Sequence, residues 1–266
     1  MKPFFTAVLR ALPWLAVGLA ACGVTLLILA PAGWVTPYLA QASGHRVELI
    51  DPSGSLWHGE ATLMLSAGPD IGTRGTDTPA PTLLPGRIVW HTAFWPLWQG
   101  RLHTEITQTA AMQDPVELDL DRHQATLTGG SLNVPATLLA GLGSPFNTLD
   151  LKGDMRLDWT PCRVFGGQAY GQLNLTLTDL GSRVSRVSPL GSYRLNLALG
   201  GRDASLTLAT LRGPLLLEGH GQASTGSFNF NGTARAAPGF SDGLAGLLNI
   251  LGSPRGDGIY SLRTMP

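Results

Sequence analysis

Polar and apolar residues alternate along much of this chain. Residues 172–178 read Gln-Leu-Asn-Leu-Thr-Leu-Thr, an almost pure two-residue period, and 193–199, 205–208, 116–121 and 227–231 repeat it. That period belongs to a β-strand with one face on apolar contacts and the other in water. Shorter runs at 61–65, 87–92, 102–107, 125–128, 155–159 and 215–219 bring the expected strands to eleven, separated by turns rich in glycine and proline. The pattern predicts a mainly β chain built on one large curved or twisted antiparallel sheet, half-barrel or sandwich-like. The apolar face of such a sheet needs a cover, supplied by the sheet itself, by a helix or by a bound lipid.

Two short helices are expected beside the sheet. Residues 134–140 read as one, with Pro135 in its first turn. Residues 241–251 read as the other: Leu244, Leu247, Leu248 and Leu251 share a face, Ser241 or Asp242 caps the start, and Gly252 ends it. Residues 66–81 have no period and are rich in Gly, Pro, Thr and Asp, which predicts a mobile loop. A weaker division of the β-rich part falls at 143–147.

The N-terminal stretch follows a different rule. No Lys, Arg, Asp or Glu occurs between Arg10 and Arg46, and Trp14 and Trp34 bracket the apolar run. About twenty residues at about 1.5 Å each span roughly 30 Å, the thickness of a bilayer's hydrocarbon. Tryptophan favours the headgroup boundary, because its ring is apolar and its N–H needs a partner. The expected layout is a cytoplasmic segment at 1–10, a transmembrane anchor at 11–35, briefly continued as helix to 42, and a β-rich domain at 36–266 across the membrane. Lys2 and Arg10 before the span, with Arg46 the first basic residue after it, set this orientation. The run is too long for a cleaved signal peptide. Leu19-Ala20-Ala21-Cys22 resembles a lipidation site, but the sequence stays apolar to Ala30, where lipoproteins turn polar. Ala16-x-x-x-Ala20 and Gly18-x-x-x-Cys22 give small residues at the spacing that lets a span pack on another helix.

Composition narrows the function. Eighteen basic and eighteen acidic side chains cancel, and only 14% of residues are charged, so there is no electrostatic footprint for nucleic acid. Cys22 and Cys162 lie on opposite sides of the expected membrane boundary and cannot bridge within one chain; Cys162 reads as a small buried hydrophobe. The six histidines show no pair at helical metal spacing. His58-Gly59-Glu60 with Pro161-Cys162 resembles part of a zinc deaminase site, but Phe165 stands where its second cysteine is required. His91 and His103, on adjacent expected strands, read as surface histidines. Glu117, Asp119 and Asp121 share one strand face and read as a solvated ladder, since Gln124 and Gly130 break a calcium-loop spacing. No P-loop or dinucleotide-binding glycine pattern occurs. The residues therefore predict no catalytic, cofactor-binding or metal-binding group and no enzymatic activity.

One element recurs. Leu56-Trp57-His58-Gly59 and Leu97-Trp98-Gln99-Gly100 share Leu-Trp-x-Gly, each before an expected strand, and read as two hairpin starts with similar packing. With Trp90 between them, Gly213-Pro214 after residues 189–195, and Pro238-Gly239 before the helical run 247–252, the order of these motifs resembles the type II secretion system protein N family over nearly the whole chain. That resemblance implies a non-catalytic inner-membrane component in the export of folded proteins from the periplasm. Its partners would be other inner-membrane secretion subunits and the secretin, reached in part by strand addition at bare sheet edges. Residues 86–102 also resemble the first strands of AsmA-like envelope proteins, which would imply lipid along a hydrophobic β-groove.

Overall fold

The computed structural model describes residues 23, 25, 28–66, 81–142, 146–224 and 227–263. The expected segment 1–10, most of the anchor with Trp14, the lipidation-like site at Cys22 and nearly all of the loop 66–81 lie outside them. Among the described residues no helix is long and apolar enough to cross a membrane.

The chain enters through a 3-10 turn at Ala32–Trp34 and the helix α1 (Val35–Ala42). Among the described residues seventeen strands follow in one sheet. The first seven are β1 (Val47–Gly54), β2 (His58–Leu65), β3 (Thr82–Leu83), β4 (Ile88–Ala93), β5 (Leu102–Thr107), β6 (Val116–Leu120) and β7 (Gln124–Leu127). After β8 (Gly130–Pro135) come a 3-10 turn at Ala136–Leu142 and the short helix α2 (Phe146–Leu149). Next are β9 (Leu151–Trp159), β10 (Cys162–Phe165), β11 (Gln168–Ser182), β12 (Gly191–Gly201), β13 (Asp203–Arg212), β14 (Leu215–Ser224) and β15 (Ser227–Ala236). Helix α3 (Ser241–Leu251) precedes the last two, β16 (Ser253–Gly256) and β17 (Ile259–Arg263).

All eleven expected strands are present, and every strand pairing is antiparallel. The sheet is an open meander rather than a sandwich, with β1 at one edge and β16 at the other. Strands β7 and β8 pair with β10 and β9 in one continuous register, so β7–β8 and β9–β10 each act as one long strand with the ladder interrupted at its middle. Because neighbours in the chain are neighbours in the sheet, its connections alternate between two ends. One end carries the turns at 55–57, 94–101, 121–123 and 166–167; the other carries 136–150, 183–190 and 213–214.

The expected helix at 134–140 is not formed as such. Leu132 and Val134 continue the two-residue period and pair opposite Leu157 and Met155, and the helical turn begins only after Pro135. The ladder to a partner more than twenty residues away overrides the local helix signal. Helix α3 has the expected bounds, but its cap differs: Phe240 holds the N-cap position with no side-chain bond, while Asp242 sits in the first turn, where its charge faces the helix N-terminus. Gly252 ends the helix in extended backbone, its Cα too close to the Ser261 carbonyl oxygen (2.5 Å from an added Cβ) to admit a side chain.

Helical segments cover one end of the sheet's apolar face. Leu244, Leu247 and Leu248 of α3 pack with Leu139, Leu149, Leu177, Tyr193, Leu215 and Ala234 in the main core. Leu138 covers Leu84, Ala111 and Val134 in a second cluster. In a third, Ala32 packs on Ala61 and Trp90. Pro31 bridges to Ser55, and Leu56 N–H donates to Ala30 O at 2.8 Å, so the last residues of the apolar run already belong to the sheet's packing. Full burial of a leucine such as Leu247 contributes about 1.5–3 kcal/mol.

Candidate functional site

The residues singled out from the sequence gather into two groups at opposite ends of the sheet. At the first, Trp57 is buried (8% exposed) and meets Phe94 edge-on at 5.2 Å. The Trp90 ring lies over Gly59: a Cβ there would stand 2.4 Å from its Cζ2, and the Trp90 indole N–H donates to Leu56 O at 3.2 Å. Leu56, Trp57, Gly59 and Trp90 thus form one closed cluster. The same device recurs at Gly130, where Trp159 occupies the Cβ position at 2.6 Å and donates to Thr128 O at 2.9 Å.

The two Leu-Trp-x-Gly copies do not pack alike, contrary to expectation. Residues 95–99 form a 3-10 turn closed by Gly100 in left-handed conformation (φ 73°), with Gly100 N–H bonded to Leu97 O at 2.8 Å. That turn projects Trp98 outward, 90% exposed, with Trp95 at 83% and Leu97 half-buried. The reason is backbone: Gly59 is extended inside a strand under a ring, whereas Gly100 terminates a turn between strands. Trp34 is likewise exposed, at the end of the 3-10 turn beside β1.

At the far end, Gly213 (φ 125°) approaches Gly191 so closely that its Cβ would lie 2.3 Å from the Gly191 Cα. Pro214 O accepts from Ala237 N–H at 2.7 Å, and Pro238 and Gly239 (φ 85°) make the exposed turn into α3. The buried Tyr193 hydroxyl ties this end together, within hydrogen-bond reach of Leu190 O (3.1 Å) and Leu215 O (3.0 Å). Burial pushes its pKa well above the usual phenol value. These residues hold turns together.

The titratable groups have structural roles. His103 Nδ1 lies 2.7 Å from Asp119 Oδ1, and the hydrogen bond to that carboxylate raises its pKa. Asp121 accepts from the N–H groups of His123 and Gln124, which hold its pKa below the usual range. His91 faces His58, ring centroids 4.5 Å apart, rather than His103. Among the described residues no group of three His, Cys, Asp or Glu side chains is arranged to hold a metal. Cys162 is half-buried, its thiol donating to Thr160 O at 3.2 Å, and so is less enclosed than expected. Gly239-Phe240-Ser241-Asp242-Gly243 has the spacing of a hydrolase nucleophile turn. Ser241, however, lacks the strained positive φ of such a turn and has no histidine partner among the described residues.

What remains is surface. Beyond the reach of α3 the sheet's apolar face continues: Leu175 and Leu208, opposite Leu195, still touch the core beneath the helix, and the next row out, Leu173 opposite Leu197 opposite Leu206, is half-buried outside it. Phe230 lies across Gly219, Gly221 and Gly232 at the margin of these rows, and Phe228 beside it is exposed. The edges offer less. β1 carries Pro52 and a register shift with Asp51 in positive φ, pinned by Arg87 to Asp51 and Glu60. β16 is four residues long, with Pro254 and its own shift. Bulges, prolines and short length blunt an edge against strand addition, while Val47–Ile50 of β1 and Ser227–Phe230 of β15 have a strand on one side only among the described residues.

Residues 45–263 match the model of the family described as type II secretion system (T2SS), protein N. No curated protein and no solved structure matches the chain. Of the two resemblances drawn from the sequence, the match supports the first and nothing supports the AsmA-like one.

Proposed function

The chain belongs to the type II secretion system protein N family, and on that premise we propose that it is a non-catalytic, inner-membrane-anchored component of this export machine. Residues 1–10 lie in the cytoplasm, the apolar run that begins at 11 supplies the single-pass anchor and ends where Ala30 and Ala32 pack on the sheet, and the β-rich domain stands in the periplasm. The uncharged run between Arg10 and Arg46 supports the anchor, and the basic residues before it support the orientation. The family match over residues 45–263 carries the reading.

The domain works through contacts with other secretion subunits of the inner membrane and with the secretin. Prolines, register shifts and short length weaken much of both edges, and these contacts use the sheet's face. The half-buried rows at Leu173, Leu197 and Leu206 are its apolar part outside the helical cover. A partner that lays apolar side chains on these rows removes them from water, the dominant gain in most protein association.

A photoactivatable residue at Leu197 or Leu206 of the full chain, in its own membrane, tests this. The expected adducts contain other type II secretion subunits. Absence of such adducts, with normal export of secreted proteins after deletion of the gene, overturns the reading. Resistance of the chain to alkaline extraction, with the β domain cleaved by protease admitted to the periplasm, checks anchor and orientation.

A further inference from the structure

We propose that the 3-10 turn at Trp95–Gln99 is a membrane-contact tip, seating Trp95 and Trp98 among the lipid headgroups of the bilayer that holds the chain's anchor. Two large aromatic side chains four-fifths or more exposed are costly in water unless something covers them. Neither indole N–H has a hydrogen-bond partner among the described residues, although Trp57, Trp90 and Trp159 are all engaged. The turn is not a frayed end. Gly100 N–H bonds Leu97 O, Arg101 N–H bonds Pro96 O at 3.0 Å, and Phe94 at its base packs on buried Trp57. The backbone therefore holds both rings outward.

Position identifies the cover. The chain arrives from residues outside the described structure at Ile28 and Leu29, both exposed, and Ala30 is bonded to Leu56. Leu56 adjoins Trp57, and Trp57 packs on Phe94, the residue before Trp95. The anchor's exit and the aromatic turn thus share one end of the sheet, while α3 and residues 136–149 cover the other. Two cations neighbour the turn: Arg101 follows it, beside Asp119 and Asp121, and the Arg122 guanidinium lies 3.2 Å from the Cβ position of Gly100. Indoles at headgroup depth with arginines beside them satisfy the N–H groups on lipid carbonyls and the cations on phosphates. A domain held at two points, its anchor and this tip, has its orientation to the membrane set rather than swinging on one tether.

This inference rests on the anchored reading above, and the test separates the two. The full chain is reconstituted in phosphatidylethanolamine and phosphatidylglycerol vesicles containing a phospholipid with a photoactivatable group near its headgroup. Adducts are mapped after trypsin digestion. Adducts on peptide 88–101, and their loss by several-fold in the Trp95→Ser/Trp98→Ser double variant with an unchanged unfolding temperature, support the proposal. Adducts on the anchor without any on 88–101 overturn it and leave the anchor standing. Adducts on 88–101 without any on the anchor support lipid contact by the turn and overturn the anchored reading instead. If the peptide stays free of lipid and becomes shielded only when other secretion subunits are added, the turn is a protein contact and the proposal fails.

Discussion

The ring of Trp90 occupies the space that any side chain at Gly59 would need. Its Cζ2 stands 2.4 Å from the missing Cβ, and the Ser55 carbonyl oxygen stands 2.7 Å from it on the other side. A methyl group there must displace either a ring held by the Leu56 carbonyl or the backbone itself. Gly59→Ala is therefore expected to destabilise the chain by about 1–3 kcal/mol, as overpacking does. Thermal unfolding followed by near-UV circular dichroism, which reports the tryptophans, checks it; an unchanged midpoint would show that the ring moves freely.

Burial divides the leucines around the sheet's apolar face into two classes. Leu247, on the inner side of α3, is fully enclosed against the sheet, so Leu247→Ala leaves a cavity and is expected to cost about 2–5 kcal/mol. Leu206, on the sheet face outside the helical cover, is half-buried, and Leu206→Ala is expected to cost about 1 kcal/mol. Urea unfolding of both variants measures the gap. Equal losses would mean that the outer rows are as enclosed as the core.

Tyr193→Phe keeps the ring and removes only a buried hydroxyl placed between the Leu190 and Leu215 carbonyls. Leu190 O keeps the N–H of Leu215 as a donor at 3.0 Å, which limits the damage. The expected loss is about 1–2 kcal/mol. Hydrogen exchange adds a local reading: the amides of 190 and 215 are expected to exchange faster than those of β4 and β5.

His103 gains Asp119 as a partner on folding, so its pKa is raised above the unfolded value. The stabilisation is then fully present below about pH 6.5 and is lost as pH rises through the folded value. Both side chains are more than a third exposed, so solvent screening holds the effect under about 1 kcal/mol. Wild type is expected to exceed His103→Gln in stability at about pH 5.5 and to match it at about pH 8.5. A larger difference at the higher pH would contradict this sign.

Eleven strands were legible because alternation is a local property: 172–178 can bury one face only as a strand. The six further strands lack that signal or lose it to a stronger one. Strand β1 contains Pro52, β3 has two residues and β16 four, and each exists because a neighbour offers a ladder. The outward aromatic turn had a visible cue, since Phe94-Trp95-Pro96-Leu97-Trp98 is far too apolar for an ordinary loop. Which of those side chains turned inward was not in the string.

By itself the sequence determined the β class, the long uncharged N-terminal run and, through the order of its turn and packing residues, the family. Those features depend on spacing and residue type along the chain, and spacing is readable without partners. Only the tertiary structure decided the fates of the two Leu-Trp-x-Gly copies, one closed under Trp90 and one open on a 3-10 turn. It also decided where the helical cover stops, and that prolines and register shifts fall on the edge strands β1 and β16. Exposure is set by what another part of the chain lays over a residue, so two strings of one pattern acquire opposite surroundings.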